Sequence, residues 1–548
     1  MKNSKKILTL ATALACGSAL LTSCNLFKKK TVEGGEQTLR IYITKAGYDV
    51  EWVKLMVQEF KNADWVKEKY PNLVVAEPFT NSNQEFVQNA FDGGERNNNY
   101  DLLFGLNLFD RVSKNQFLDL TDVLYEAEIP GTNGQKYKDR MYTSYVESMR
   151  YNTAAADSRN GHFFLAPWAG GNVSFLYNPV LLETLGKEVP VTTDELISCF
   201  DAYTARNYKG TSTTSYAFLK GKDEDYINKL FYTWWAQYQG IEGYENFWSG
   251  IDDGTISKDI FKQKGRLESL KVFDALFDPS KHNVGPTSYL NDFLANQKAF
   301  KGGGSLFYAN GDWYPSEMKG KAGIGGDYEA KMMRAPILSA IIENTPTIAD
   351  DAELSALVKA IDREETALTG TGYDVSQDDY NIVKEARRVV WSFGSGHTAV
   401  IPTYALGKNV AVDFLKFMAT DKGLEAYMKG AMGASLPFKY NLKEENPTLY
   451  NSDAIDPLHR ERLDYMNSEF LEPYTLRLAT SYPLASFGWV TEWASSYSLN
   501  YFDYFSNANN RGGNFNTPQM YYDGTIAFYD ADNGKEWLDA VDRAGLNI

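Results

Sequence analysis

Residues 296–318 read NQKAFKGGGSLFYANGDWYPSEM, and three kinds of local structure follow one another there with little slack. An amphipathic segment carrying Phe293, Leu294 and Phe300 runs into Gly302, Gly303 and Gly304. An apolar strand over residues 305–308 comes next, and Asn310-Gly311 breaks it. Asn-Gly is a strong turn signal because both residues tolerate left-handed backbone. The turn sets a carboxylate, Asp312, beside an indole, Trp313, just past a strand end, which is where open α/β sheets bind ligands. A flat aromatic face packs on the C–H face of a pyranose, and a carboxylate accepts hydrogen bonds from sugar hydroxyls. Two other roles stay open at this point, with Trp313 plugging a core and Asp312 capping the following helix.

Upstream, residues 39–43 (LRIYI) and 73–76 (LVVA) have strand character and bracket a helix with Val53, Met56, Val57 and Phe60 on one face. A crossover of this length makes the strands parallel. Residues 100–104 (YDLLF) supply a third strand, so Tyr48, Asn81 and Asn107 follow three strand ends at one edge of a sheet. A second unit starts near His162. Its first strands, residues 163–166 and 173–177, flank a connection that carries Trp168 and Asn172 and is exposed unless something covers it. Residues 192–195 (TTDE) form a capping box at a helix start. Over residues 226–239 helical spacing puts Ile227, Leu230, Phe231, Trp234 and Tyr238 on one core stripe and leaves Trp235 as the ring free to face solvent. Residues 333–339 cross back towards the first unit, and Trp391 falls in the strand-like residues 390–394 of the stretch after that crossing. The last hundred residues, with Trp489, Trp493 and Tyr497, suit extra helices around the second unit.

The length of 548 residues allows two or more domains. The aromatic share is high, 36 Tyr, 31 Phe and 11 Trp, more rings than cores alone call for. Residues 1–23 have the layout of a signal peptide: Lys2, Lys5 and Lys6, then an uncharged apolar stretch closing on Leu21-Thr22-Ser23 before Cys24. Small residues before a Cys resemble the bacterial lipobox, so Cys24 is expected to carry lipid and residues 24–36 to form a tether, placing the protein outside the cytoplasmic membrane. Cys199 then remains alone, at helical spacing with Leu196 and Tyr203, and is expected as a small buried hydrophobe. No disulfide framework is possible. His162, His282, His397 and His459 show no metal spacing, and neither metal nor cofactor is expected. A net charge of −16 argues against nucleic acid as a partner.

Taken together, these pieces resemble the family 1 extracellular solute-binding proteins of carbohydrate ABC transporters, the class of the maltodextrin-binding protein. The matching residues are 21–24, 164–168 with 176–178, 190–195 (PVTTDE), 300–313 and 410–417 (VAVDFLKF) with 433–437 (GASLP), in order over residues 37–440. The resemblance implies a two-lobe α/β fold of the type II periplasmic-binding-protein kind, with a ligand cleft between lobes and extra C-terminal helices. It implies lobe 1 from 37–159 and 330–425, and lobe 2 from 160–329 and 426–548. Trp168, Asn172, Asp312 and Trp313 would then face Tyr48, Asn81 and Asn107 across the cleft, with Trp235 and Trp391 as further rings. The implied partners are a carbohydrate, the permease subunits of a transporter and, through Cys24, the membrane; the implied state is a monomer.

Two other classes compete. A glycoside hydrolase needs two carboxylates across a cleft, and nothing in the sequence singles out such a pair. No Gly-x-Ser-x-Gly, His-Glu-x-x-His or phosphate loop occurs either. A surface glycan-binding lipoprotein of the starch-utilisation type is built largely from helical repeats, whereas here strands alternate with helices.

Overall fold

The alternation of short apolar strands with amphipathic helices folds, among the described residues, into two large sheets and two two-stranded pairs. The computed structural model describes residues 33–543 except 82–84, 94–98, 153–156, 208–215, 220–225, 279–280, 283, 285–292, 322–327, 367–373 and 477–516. The leader, Cys24, Ser82, Asn83, Trp489, Trp493 and Tyr497 lie outside the described residues.

Among the described residues the first sheet has five strands, in the order Phe79–Asn81, Ile41–Thr44, Leu102–Leu106, His397–Val400 and Ala166–Pro167. Its first three are parallel, and His397–Val400 runs antiparallel to both its neighbours. The strand expected at 73–76 instead pairs, as Val74–Val75, in parallel with Thr38–Leu39 outside this sheet, and Phe79–Asn81 takes its place. The helix Glu51–Asn62 covers it, burying Trp52, Val53, Met56 and Phe60. The second sheet runs Tyr474–Leu476, Val389–Ser392, Asn172–Tyr177, Ser305–Gly311, Tyr216–Phe218, with Lys331–Met332 also paired to Asn172–Tyr177. The helix Thr193–Asn207 buries Cys199, whose thiol is pushed up to about 12 by desolvation, an inert core group as its spacing predicts.

Strand pairing divides the chain differently from the sequence reading. Residues 330–425 are expected in the first lobe, but Lys331–Met332 and Val389–Ser392 both pair with Asn172–Tyr177 of the second. The return to the first sheet comes only at His397–Val400. Conversely, the helix Asp421–Gly430, expected in the second lobe from residue 426, packs on Glu51–Asn62 in the first, so closely that a Cβ on Gly430 would meet the Trp52 backbone. Apolar periodicity locates strands and helices; which sheet a four-residue strand joins depends on partners far away in sequence. The C-terminal extension does wrap the second lobe where it is described. Helical turns over Pro518–Arg543, broken at Ala531–Gly534, pack on Lys264–Phe277, with Tyr529 stacked on Phe261 at 3.8 Å.

The chain passes between the sheets at residues 168–171 and 393–396, and a third stretch, residues 433–435, lies against them. Gly170 N–H donates to Ser435 O at 2.7 Å, Phe393 N–H to Gly171 O at 2.8 Å and Trp168 N–H to His397 O at 3.0 Å. Tyr145 Oη, at 2.5 Å, and Ser392 Oγ both donate to Gly170 O. Gly171 has φ +66°, and a Cβ there would stand 2.8 Å from Gly394 N and 3.0 Å from the Phe393 backbone. Neither neighbour is a side chain that can swing away. Gly171→Ala should therefore cost about 3 kcal/mol, strained backbone plus collision. Gly161→Ala, at φ +88° with no heavy atom within 4 Å of its Cβ, should cost only about 1 kcal/mol. Urea midpoints of the two variants check the difference, and equal losses would show that the packed crossing adds no constraint.

Candidate functional site

A cleft of about 770 Å³ opens between the two sheets. Its first wall comes from the loop after Ile41–Thr44, with Lys45, Gly47, Tyr48 and Asp49, and from Asn107 after Leu102–Leu106. The facing wall is the element after Ser305–Gly311, namely Trp313, Ser316, Glu317, Lys319 and Lys321, with Tyr226 and Leu294 beside it. Phe393 and His397, from the second interlobe connection, close the base.

Trp313 sits where Asn310-Gly311 ends its strand, and glycine on either side makes room for it. A Cβ on Gly311 would lie 2.2 Å from the indole, and one on Gly47, from the opposite lobe, 2.7 Å from Trp313 Cβ. Tyr226, Phe393 and Tyr48 surround the ring at centroid distances of 5.3, 5.7 and 6.2 Å. The indole thus lines the cleft and touches both lobes. The following helix, Tyr314–Met318, receives no side-chain cap, so Asp312 does not play the capping role.

Asp312 instead ties the lobes together. Its Oδ1 accepts a 2.5 Å hydrogen bond from Tyr48 Oη. Its Oδ2 lies 3.9 Å from Arg462 Nη1 and makes no direct hydrogen bond among the described residues. Burial raises the carboxyl above its usual range, opposed by the Arg462 guanidinium, the Tyr48 hydroxyl and the Asn172 backbone. Desolvation, and then the Asp312 charge, hold the Tyr48 phenol well above its ordinary value, so it remains the donor. Arg462, wholly buried, also donates through Nη2 to Gly433 O at 2.8 Å, Nη1 to Ser435 Oγ at 3.0 Å and Nε to His459 Nδ1 at 3.1 Å. Burial holds His459 well below its ordinary value, so that nitrogen is free to accept. One guanidinium thus links the cleft carboxylate to the third stretch of the interlobe connection.

His397 is half-buried, and desolvation lowers it to about 4. Neutral, it donates from Nδ1 to Phe393 O at 2.9 Å and keeps Nε2 as an acceptor. Its folded value lies below the unfolded one, so the unfolded chain binds the extra proton between about pH 6.5 and pH 4. The stability this provides is complete above about pH 6.5 and lost as pH falls to about 4. His397→Asn should flatten the fall of the urea midpoint across that window; an unchanged slope would show that His397 does not titrate with unfolding.

Of the other residues the sequence nominates, Asn107 lines the cleft, its backbone at φ +51° and its N–H donating to Gly396 O. Asn172 is buried beneath it, its side-chain amide without a partner among the described residues. Trp168 is core, not surface. It stacks on Trp52 at 5.7 Å and donates Nε1–H to Gly105 O, because its connection folds back over the first sheet and is covered by Trp52 and Phe104. Trp235 is buried as well, bonded to Gln263 Oε1 and packed on Tyr244 and Phe247, since Ile241–Ser249 and Lys264–Phe277 cover the second face of its helix. Trp391 pairs with Val173 in the second sheet, lies under Lys229 and packs on Phe393 at 4.3 Å, so it backs the cleft wall without lining it. Asn81 ends the edge strand of the first sheet, where its carbonyl accepts from Lys45 N–H. Tyr226, Phe393 and His397 were missed: two belong to a connection whose place follows only from strand pairing, and Tyr226 begins a helix whose stripe reads as core.

Two lobes with an aromatic cleft at their strand ends define the fold of type II periplasmic-binding-protein-like solute-binding proteins. Solved structures share this two-lobe fold. It is similar to a protein from Caldanaerobius polysaccharolyticus, described in work on xylan utilization, at TM-score 0.55 and 13% identity, over 90% of this chain and 100% of that one. An ABC substrate-binding protein from Listeria monocytogenes in complex with cycloalternan superposes at TM-score 0.54 and 14% identity, over 93% and 99%. RafE from Streptococcus pneumoniae does so at 0.54 and 13%, over 91% and 99%. No family model matches the chain, and no curated protein matches it by sequence. Among the described residues no helix is long and apolar enough to cross a membrane, and no group of three or more His, Cys, Asp or Glu is placed to hold a metal ion.

Proposed function

We propose that the protein is the substrate-binding lipoprotein of a carbohydrate ABC transporter, capturing an oligosaccharide between its lobes and delivering it to the membrane permease. The observation that carries this is the cleft: an indole, a phenol and a phenyl ring from both sides of an interlobe connection, with Asn107, Ser316, Glu317 and His397 as polar partners. Such rings supply stacking faces and the polar groups supply orientation. The volume falls within the range of sites for ligands larger than a single small ion. RafE has been solved in complex with raffinose, and another similar structure is a chitin oligosaccharide binding protein, which supports a sugar as the cargo here. A binding role is favoured over catalysis by the similar solved structures, which include a chitin oligosaccharide binding protein and an ABC substrate-binding protein in complex with cycloalternan.

A thermal-shift screen over neutral and acidic oligosaccharides tests this, since a ligand at 100 times its Kd stabilises by about 2.7 kcal/mol. A raised midpoint with at least one sugar is expected. A midpoint indifferent to the whole panel would overturn the reading. The lipid anchor is tested separately: Cys24→Ser should move the protein from the membrane to the soluble fraction, and retention as an integral lipoprotein would place the anchor elsewhere.

A further inference from the structure

The charges on the cleft wall run against those of the chain. The sequence carries 55 basic and 71 acidic residues, yet the wall presents Lys45, Lys319 and Lys321 against Asp49 and Glu317. Lys45 is accounted for by Asp49, and Glu317 accepts from Gln297 Nε2. Lys319 and Lys321 make no ion pair among the described residues, although Lys321 lies near enough to Glu317 to oppose the upward push that burial gives that carboxyl. Both follow directly on the helix Tyr314–Met318, which begins at Trp313, so ring and cations ride on one element. That segment is held in place: Lys321 N–H donates to Met318 O at 3.1 Å, and Lys301 Nζ to Lys321 O at 2.5 Å. Cations that make no ion pair among the described residues, set beside an aromatic platform on a protein rich in carboxylates, give an anionic ligand a charge-assisted contact that a neutral one lacks.

We propose that the cargo is an anionic oligosaccharide, one sugar stacking at Trp313 while a uronate carboxylate or sulfate ester meets Lys319 and Lys321. This rests on the function proposed above and narrows it. Asp312 does not oppose it, since it lies behind the wall and is occupied by Tyr48 and Arg462.

The test is calorimetric titration of the mature protein with pairs matched except for charge: trigalacturonate against its methyl ester, and a carrageenan tetrasaccharide against its desulfated form. The acidic member of one pair should bind about tenfold tighter or more, the uronate and sulfate arms showing which anion is taken. The preference should shrink between about 0.02 M and about 0.3 M salt, as contacts partly open to solvent are screened. K319Q/K321Q, checked for an unchanged melting midpoint, should bring the acidic member down to its neutral partner. Neutral forms binding as tightly as acidic ones, or a preference that survives in the double variant, would overturn the proposal and leave oligosaccharide capture standing. Binding of neither member of either pair, while another sugar of the thermal-shift panel binds, would overturn the anionic cargo and leave oligosaccharide capture standing; no shift with any sugar of that panel would overturn both.

Discussion

Replacing Arg462 by Met should destabilise the protein by about 3–5 kcal/mol, the range for removing one member of a buried ion pair. Neither Arg462 nor Asp312 has any solvent exposure, so little screening reduces the effect. The loss has two parts. Asp312 Oδ2 is left with no cation near it, and Gly433 O, Ser435 Oγ and His459 Nδ1 each lose a donor. The urea midpoint at pH 7 measures the sum. Adding Asp312→Asn to Arg462→Met removes the uncompensated carboxylate and should recover part of the loss, though not the share owed to the three acceptors. A double variant no more stable than Arg462→Met would show that the 3.9 Å pair contributes nothing. A single variant within about 1 kcal/mol of the native protein would show that the guanidinium is dispensable. Because Ser435 O in turn accepts from Gly170 N–H, the same substitution should loosen the connection about which the lobes meet.

Arg462 also shows where sequence reading stops. It lies in HRERLDYM, residues 459–466, a segment with no feature that separates a wholly buried guanidinium from an arginine on a solvated helix face. Its place is decided by three partners 27 to 150 positions away. What was legible was local. The strand-helix-strand start follows from apolar periodicity, and so does the strand beginning at Ser305, but Asn310-Gly311, read as a turn, pairs with Ser174 and Val173 as the last two residues of Ser305–Gly311, with no left-handed backbone. The end of that strand delivers Asp312 and Trp313 to the lobe boundary, and Tyr48 and Asn107 meet them there because strand ends of parallel units share an edge. The tryptophans misread at 168, 235 and 391 fail for one reason. A helix stripe or a loop shows which side is buried first, whereas a second covering layer comes from elsewhere in the chain. Lys264–Phe277 covers Trp235, Trp52 and Phe104 of the first lobe cover Trp168, and the pairing of Val389–Ser392 carries Trp391 into the second sheet.

Trp313 and Trp168 look alike by exposure, 5% and 1%, and should respond differently to truncation. Trp168 is enclosed chiefly by first-lobe groups, Trp52, Phe104 and the Gly105 carbonyl, so it is buried whatever the cleft does. Trp168→Ala should cost the full ~3–5 kcal/mol of a lost core aromatic, and the molecules that still fold should bind sugar with unchanged affinity. Part of the cover on Trp313 comes from Gly47 and Tyr48 across the cleft, and that part depends on the lobes meeting. Trp313→Ala should therefore lose less folding stability than Trp168→Ala. It should also lose about 1–3 kcal/mol of sugar binding, roughly 5- to 150-fold in affinity. Both quantities are measurable on the same preparations, by denaturant midpoint and by titration with whichever oligosaccharide raises the melting temperature. If Trp313→Ala matches Trp168→Ala in stability and keeps native affinity per folded molecule, the indole is a core group. The cleft would then have to hold its ligand through the other rings on its wall, Tyr48, Tyr226, Phe293 and Phe393.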